Sequence, residues 1–180
     1  MKKTATVYWL IPSQPERELF REIIRILARQ FDAPRFDPHL TLCVASRDRQ
    51  PRNNRGSRNP SESPRNILRQ LRAAPVRLRV CGIGYSCKFT KTLFIRFAPT
   101  KSLDRLVVDL AGAAKSLRDP HVGLVYKNIP ARTKKELAST IKLPLREVVF
   151  DVIKAVRCPF PTKFRADVEA WRVIATKSLR

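Results

Sequence analysis

The chain has 180 residues, enough for one domain or two small lobes around a shared core, and its 43% hydrophobic content excludes general disorder. Its 37 Lys and Arg against 15 Asp and Glu leave a formal net charge of +22, far more than solubility requires. The excess points to a polyanionic partner, RNA or DNA first, with a generally basic proteome or an anionic membrane surface as the other readings. No apolar run reaches the length of a membrane-spanning helix. The opening MKKTATVYWLIPSQPE is cut at Pro12 and continues as a Glu-containing helical pattern, which argues against a signal peptide and for a cytoplasmic protein.

Residues 4–11, TATVYWLI, are β-branched and aromatic and read as a strand that stops at Pro12. Ser13 and Glu16 have capping-box spacing, and a helix is expected to about Gln30, with Leu19, Phe20, Ile23, Ile24 and Leu27 on its apolar side. An Asp37-Pro38 turn leads into a short strand from His39 to Ala45. Residues 46–66 carry six arginines and three prolines and almost nothing apolar. The 46–61 part is expected to be a flexible Arg-rich loop, either draped on a phosphate backbone or merely solvated. A short helix near 62–73 and an alternating strand over 75–85, broken near Gly82 and Gly84, close the first half.

The second half repeats this order. A strand is expected over 88–97, a helix from Pro99-Thr100 to about 117, an Asp119-Pro120 turn, and a strand from His121 to Tyr126. Then come a helix from Pro130 to about 141, a strand over 146–157 and a last strand over 168–177. The pattern is a single bilobal domain over 1–180, with halves near 1–87 and 88–180 and a closing strand able to cross between them. The cysteines, Cys43, Cys81, Cys87 and Cys158, form no Cys-x-x-Cys pair and have no His at zinc spacing. Free thiols, three of them buried in apolar strands, are expected, with a Cys81–Cys87 pairing as the alternative.

The chain has two histidines, and each follows Asp-Pro at the start of a strand: FDPHLTL and RDPHVGL. A lone His at a strand start is usually a satisfied structural residue. Here the repetition raises a second reading, in which two imidazoles act on one phosphodiester, one as base toward water and one as acid toward the leaving oxygen. Period two places His39 with Thr41 and His121 with Gly123, so Thr41 can offer a hydroxyl to a phosphate oxygen and Gly123 only its backbone N–H. A metal site is the poorer reading: two histidines need a third ligand, and Asp37 and Asp119 serve as turn residues.

PHLTL and PHVGL resemble the tandem His-x-Thr/Ser signatures of the 2H phosphoesterase (LigT-like) superfamily. The VYWLIP opening and the length most resemble its small cyclic phosphodiesterase branch. The likeness runs through LFIRF to the closing VEAWRVI. It implies an α+β fold of two pseudo-symmetric lobes, each an antiparallel sheet with helices outside, around a central cleft. It implies His39 and His121 as an acid–base pair, with His121 as base, and Thr41 holding phosphate. Tyr126 stands where relatives place a substrate-contacting Tyr, or else packs as an ordinary strand residue; Trp9 would stack on a base or line the cleft wall. No metal and no cofactor are implied. The substrate class would be a 2′,3′-cyclic phosphate on an RNA end or nucleotide, or ADP-ribose 1″,2″-cyclic phosphate, opened to a monoester by a monomer with no membrane role. The alternative is a non-catalytic or weakly active basic RNA-binding protein that reuses the fold. Gly123 departs from the signature, and on this reading Gly123→Ser should restore a lost hydroxyl and raise turnover.

Overall fold

The computed structural model describes residues 3–45, 63–111 and 117–180; the Arg-rich segment at 46–61 lies outside them, as do residues 112–116 of the helix expected before Asp119, while Leu117, its expected end, is not helical. The fold is α+β, with one antiparallel seven-stranded sheet and five helices among the described residues. The first elements are β1 (Thr4–Pro12), α1 (Glu16–Gln30), β2 (Leu40–Ala45), α2 (Pro64–Gln70) and β3 (Val76–Tyr85). They are followed by β4 (Leu93–Phe97), α3 (Lys101–Ala111), β5 (His121–Val125), α4 (Ala131–Thr140), β6 (Glu147–Pro159), α5 (Arg165–Glu169) and β7 (Arg172–Ser178). The strand order is β1-β2-β5-β4-β3-β6-β7, and β1 also pairs with β6, so six strands make a closed circuit from which β7 extends.

Strand β6 has 13 residues because it serves several neighbours. Its first part pairs with β3 from Val76↔Phe150 to Arg79↔Glu147, its later part pairs with β7, and β1 runs along its other edge. Strand β1 is buried on both faces. Tyr8 and Leu10 belong to the main core with Phe20, Ile24 and Leu27 of α1, while Val7, Trp9 and Ile11 belong to a second cluster with Val156 and Cys158. That double burial is why the run TATVYWLI is almost wholly apolar rather than alternating. The second face is the one on which the two histidine signatures meet.

Local chemistry moves several boundaries. Ser13 does not cap α1; its hydroxyl donates to the Val149 carbonyl at 3.1 Å and its N–H donates to the same oxygen at 2.8 Å, tying the β1–α1 corner to β6. Residues 89–91 form a 3-10 turn instead of the start of a strand. There the Ser86 hydroxyl donates to the Lys91 carbonyl and Thr92 to that of Phe89, side-chain bonds that compete with a ladder. The closing strand is also shorter than its sequence pattern. The Asp167 carboxylate accepts the N–H groups of Lys163 and Phe164, which starts α5, and the chain becomes extended only at Arg172. None of the four cysteines forms a disulfide, and only Cys158 is buried: Cys43 is half-buried, and Cys81 and Cys87 are exposed. Gly82 has φ +105 at a bulge in the β3–β4 ladder, where the strand was expected to break.

Candidate active site

Leu40 of β2 pairs with Val122 of β5. Both side chains are fully buried in the main core. In an antiparallel pair the residues on either side then face each other crosswise on the opposite surface: His39 toward Gly123 and Thr41 toward His121. The register continues outward through Trp9↔Thr41 and Trp9↔Lys154 on one side and Arg96↔His121 on the other. The sheet thus carries Lys154, Trp9, Thr41, His121 and Arg96 in one transverse row. The two histidines are near enough for the charge of His121 to act on His39.

Each imidazole is held in the same way. His39 Nδ1 lies 2.7 Å from the Asp37 carbonyl oxygen, and His121 Nδ1 lies 2.8 Å from that of Asp119. A carbonyl can only accept, so Nδ1 carries the proton in both rings and Nε2 is left as the free nitrogen. In both segments the Asp carbonyl two residues back lies beside the ring that follows; Arg118-Asp119 bend as expected, whereas Asp37-Pro38 runs without the turn its sequence suggests. The carboxylates turn away to cations. Asp37 meets Lys154 at 2.8 Å, Arg21 at 3.0 Å and Arg17 at 3.2 Å, and Asp119 meets Lys91. Burial works against ionisation of Asp37, but the hydrogen bonds and charges of Lys154 and Arg21 outweigh it and hold the carboxyl at about 2.

The two sites are unequal. His39 is 4% exposed and sits among aromatic rings. Its ring stacks on Trp9 at 3.8 Å and 16°, and Trp171 and Phe36 meet it edge-on at 5.5 and 6.0 Å. Burial is the largest influence on its pKa and, with the charges of His121 and Lys154, pushes it down to about 4 despite the Asp37 contacts. His121 is half-buried, with Phe94 at 5.2 Å, and burial again lowers its pKa, aided by Lys91.

Thr41 is half-buried and shares the face of His39. Trp9 is 5% exposed with one ring face committed to His39, so it supports the imidazole. Tyr126 is buried, stacked on Phe36 at 4.0 Å and 4°, and burial raises its pKa, keeping the phenol protonated. A side chain at Gly123 would meet that phenol: a Cβ there would lie 2.5 Å from Tyr126 Cε1 and 2.7 Å from its hydroxyl oxygen. The glycine is therefore a packing requirement of Tyr126, and Gly123→Ser does not fit while Tyr126 stays in place.

Four neighbours were not picked out from the sequence: Phe36, Trp171, Lys154 and Lys91. Lys154 had a legible signal, since period two puts it on the face of Val152 and Val156, an apolar surface where a lone lysine implies an internal anion. Phe36 stands directly before the first Asp-Pro-His. Trp171 was read as the middle of a strand but occupies the corner between α5 and β7, with its indole N–H buried and without an acceptor among the described residues.

No protein-family model and no curated protein sequence matches the chain. Among solved structures the chain is similar to E. coli LigT complexed with ATP, at 13% identity over 99% of each chain with a TM-score of 0.55. It is similar to E. coli LigT complexed with 3′-AMP, at 13% identity over 99% of each chain and a TM-score of 0.53. It is also similar to a structure described as a phosphoesterase, at 12% identity over 98% of this chain and 99% of that one, with a TM-score of 0.55. The fold is thus the LigT-like, 2H phosphoesterase fold.

The buried imidazole makes a stability prediction. Unfolded His39 binds its proton near pH 6.5, and the folded ring resists it to about pH 4. Between those values the unfolded chain holds more protons, so stability is full above 6.5 and falls as pH drops through the window. Asp37 acts in a lower window, from 3.8 down to about 2. Urea unfolding at pH 7 and 4.5 should show a loss of roughly 2–3 kcal/mol, and His39→Asn, whose amide can keep the Asp37 bond, should flatten the slope. An unchanged slope in that variant would place the acid sensitivity elsewhere.

Proposed function

We propose that this LigT-like fold is a phosphodiesterase that opens a cyclic phosphate ester by two-histidine acid–base catalysis. The substrate class is a 2′,3′-cyclic phosphate on an RNA end or nucleotide, or a related 1″,2″-cyclic phosphate. The observation that carries the reading is the matched pair of Nδ1–carbonyl bonds, which leaves two free Nε2 atoms on one face of neighbouring strands. Two nitrogens that differ in proton affinity are what metal-independent opening of a phosphodiester needs. The similar E. coli LigT structures hold ATP and 3′-AMP, which agrees with a nucleotide-sized ligand.

In the free protein His39 is the ring kept neutral the more strongly, so it is assigned as the base and His121 as the acid, the reverse of the expectation drawn from the family resemblance. His39 Nε2 takes a proton from water as the water oxygen attacks phosphorus. The bond from phosphorus to one ribose oxygen breaks, and the His121 Nε2 proton passes to that oxygen. The product is a monoester with a free hydroxyl, and the two rings return to their starting states by proton exchange with solvent. The anionic phosphate raises both imidazole pKa values on binding, which helps His121 to be charged when the substrate is seated. Thr41 donates to one non-bridging oxygen. Tyr126 donates to the other, from the space that a signature hydroxyl at position 123 would otherwise fill. Trp9 holds the His39 ring.

Two experiments test the proposal. An oligonucleotide ending in a 2′,3′-cyclic phosphate should yield a monoester end in the presence of EDTA, and His39→Ala or His121→Ala should each lower kcat by at least about a hundredfold. The pH profile of kcat/KM should be bell-shaped with its maximum acid of 6.5, because both free-protein pKa values are lowered. Rates indifferent to both substitutions, or abolished by EDTA, would refute the mechanism. The second experiment separates Tyr126 from Gly123. Tyr126→Phe should cost on the order of a hundredfold in kcat, and Gly123→Ser should lower turnover by pushing the phenol aside. A faster Gly123→Ser enzyme would instead support the lost-hydroxyl account.

A further inference from the structure

The two signatures are built alike but charged differently. Among the described residues Asp119 is met by one cation, Lys91, whereas Asp37 is met by three, Arg17, Arg21 and Lys154. The additional carboxylate in contact is Glu18, which pairs with Arg21 at 3.1 Å and is 66% exposed. The cluster thus retains a positive excess. One carboxylate does not use all the donors gathered on it. Arg17 reaches Asp37 through its terminal nitrogen, while its Nε–H is buried and has no acceptor among the described residues. A buried donor left without a partner is costly, so Asp37 alone does not satisfy this guanidinium. The cluster is open to such an anion: the Arg17 and Arg21 side chains are 21% and 36% exposed. Its placement is also specific. Lys154 is the β6 partner of Trp9, the ring on which His39 stacks. Its charge acts on His39 as well.

We infer that Arg17, Arg21 and Lys154 form a second phosphate subsite beside the His39 signature, which takes a phosphodiester or pyrophosphate one nucleoside away from the reacting group. The inference rests on the cyclic-phosphate reading above. It narrows the substrate to one that carries two phosphate groups, either an RNA end of at least two nucleotides or a cyclic phosphate joined to a pyrophosphate. Guanidinium groups suit this task because they offer several donors in a fixed fork and stay charged at every relevant pH. A simple cyclic mononucleotide would leave the subsite empty.

Calorimetric titration with adenosine 3′,5′-bisphosphate and with 3′-AMP tests this without requiring turnover. The bisphosphate should bind at least tenfold more tightly, and its affinity should fall more steeply with added salt. In Arg17→Gln and in Lys154→Gln, the ratio of the two affinities should collapse toward one. Equal affinity of the two ligands for the unaltered protein would overturn the subsite with no variant needed, as would a variant that weakens both ligands alike and leaves the ratio intact. The source of the second phosphate is read by turnover. Comparison of a dinucleotide ending in a 2′,3′-cyclic phosphate, ADP-ribose 1″,2″-cyclic phosphate and 2′,3′-cyclic AMP should show the last as the poorest substrate. If none is opened while the bisphosphate preference holds, the subsite stands and the hydrolase reading fails.

Discussion

Everything in the candidate site depends on one short hydrogen bond made twice. An Asp-Pro segment presents the Asp carbonyl to Nδ1 of the His two residues later, at 2.7 Å for His39 and 2.8 Å for His121. The bond selects one tautomer and fixes the ring. Without it a histidine at a strand start is a mobile side chain with two equivalent nitrogens. With it, the position of each ring is set by backbone geometry. The sheet then does the rest, because pairing Leu40 with Val122 puts both rings on one face and their apolar neighbours in the core.

The two Asp-Pro-His segments share this bond but have unequal surroundings. His39 is walled by Trp9, Phe36 and Trp171 and resists protonation, while His121 stands half-open between Phe94 and the Lys91–Asp119 pair. One signature keeps a threonine hydroxyl; the other gives up its side chain so that a buried tyrosine can occupy the space. A reaction that needs one base and one acid calls for such inequality. Two equal imidazoles would compete for the same proton, whereas different burial orders their affinities in advance.

Much of this was legible in the sequence, and the failures have a common cause. The apolar run of β1, the helical spacing of apolar residues in α1 and the Asp-Pro-His repeats are local signals, and local periodicity reports them well. The misreadings arose where a side chain answered to something distant or to a competing hydrogen bond. Ser13 has the spacing of a cap but bonds to Val149, 136 residues away in sequence. Residues 89–91 have strand composition but turn around Ser86 and Thr92. Gly123 looked like a loss because sequence comparison counts the missing hydroxyl. Only the folded chain places the Tyr126 phenol where that side chain would go. Lys154 alone was readable in principle, as a charge on an apolar strand face.

The central claim is that two imidazoles of one tautomer meet at one phosphate, and having two histidines in the chain makes it directly measurable. Long-range proton–nitrogen NMR on histidine-labelled protein resolves both rings. The account predicts that each neutral ring carries its proton on Nδ1, and that stoichiometric 3′-AMP shifts both Nε2 signals together with a single affinity. A proton on Nε2 of either ring, or a response from only one of them, would contradict it.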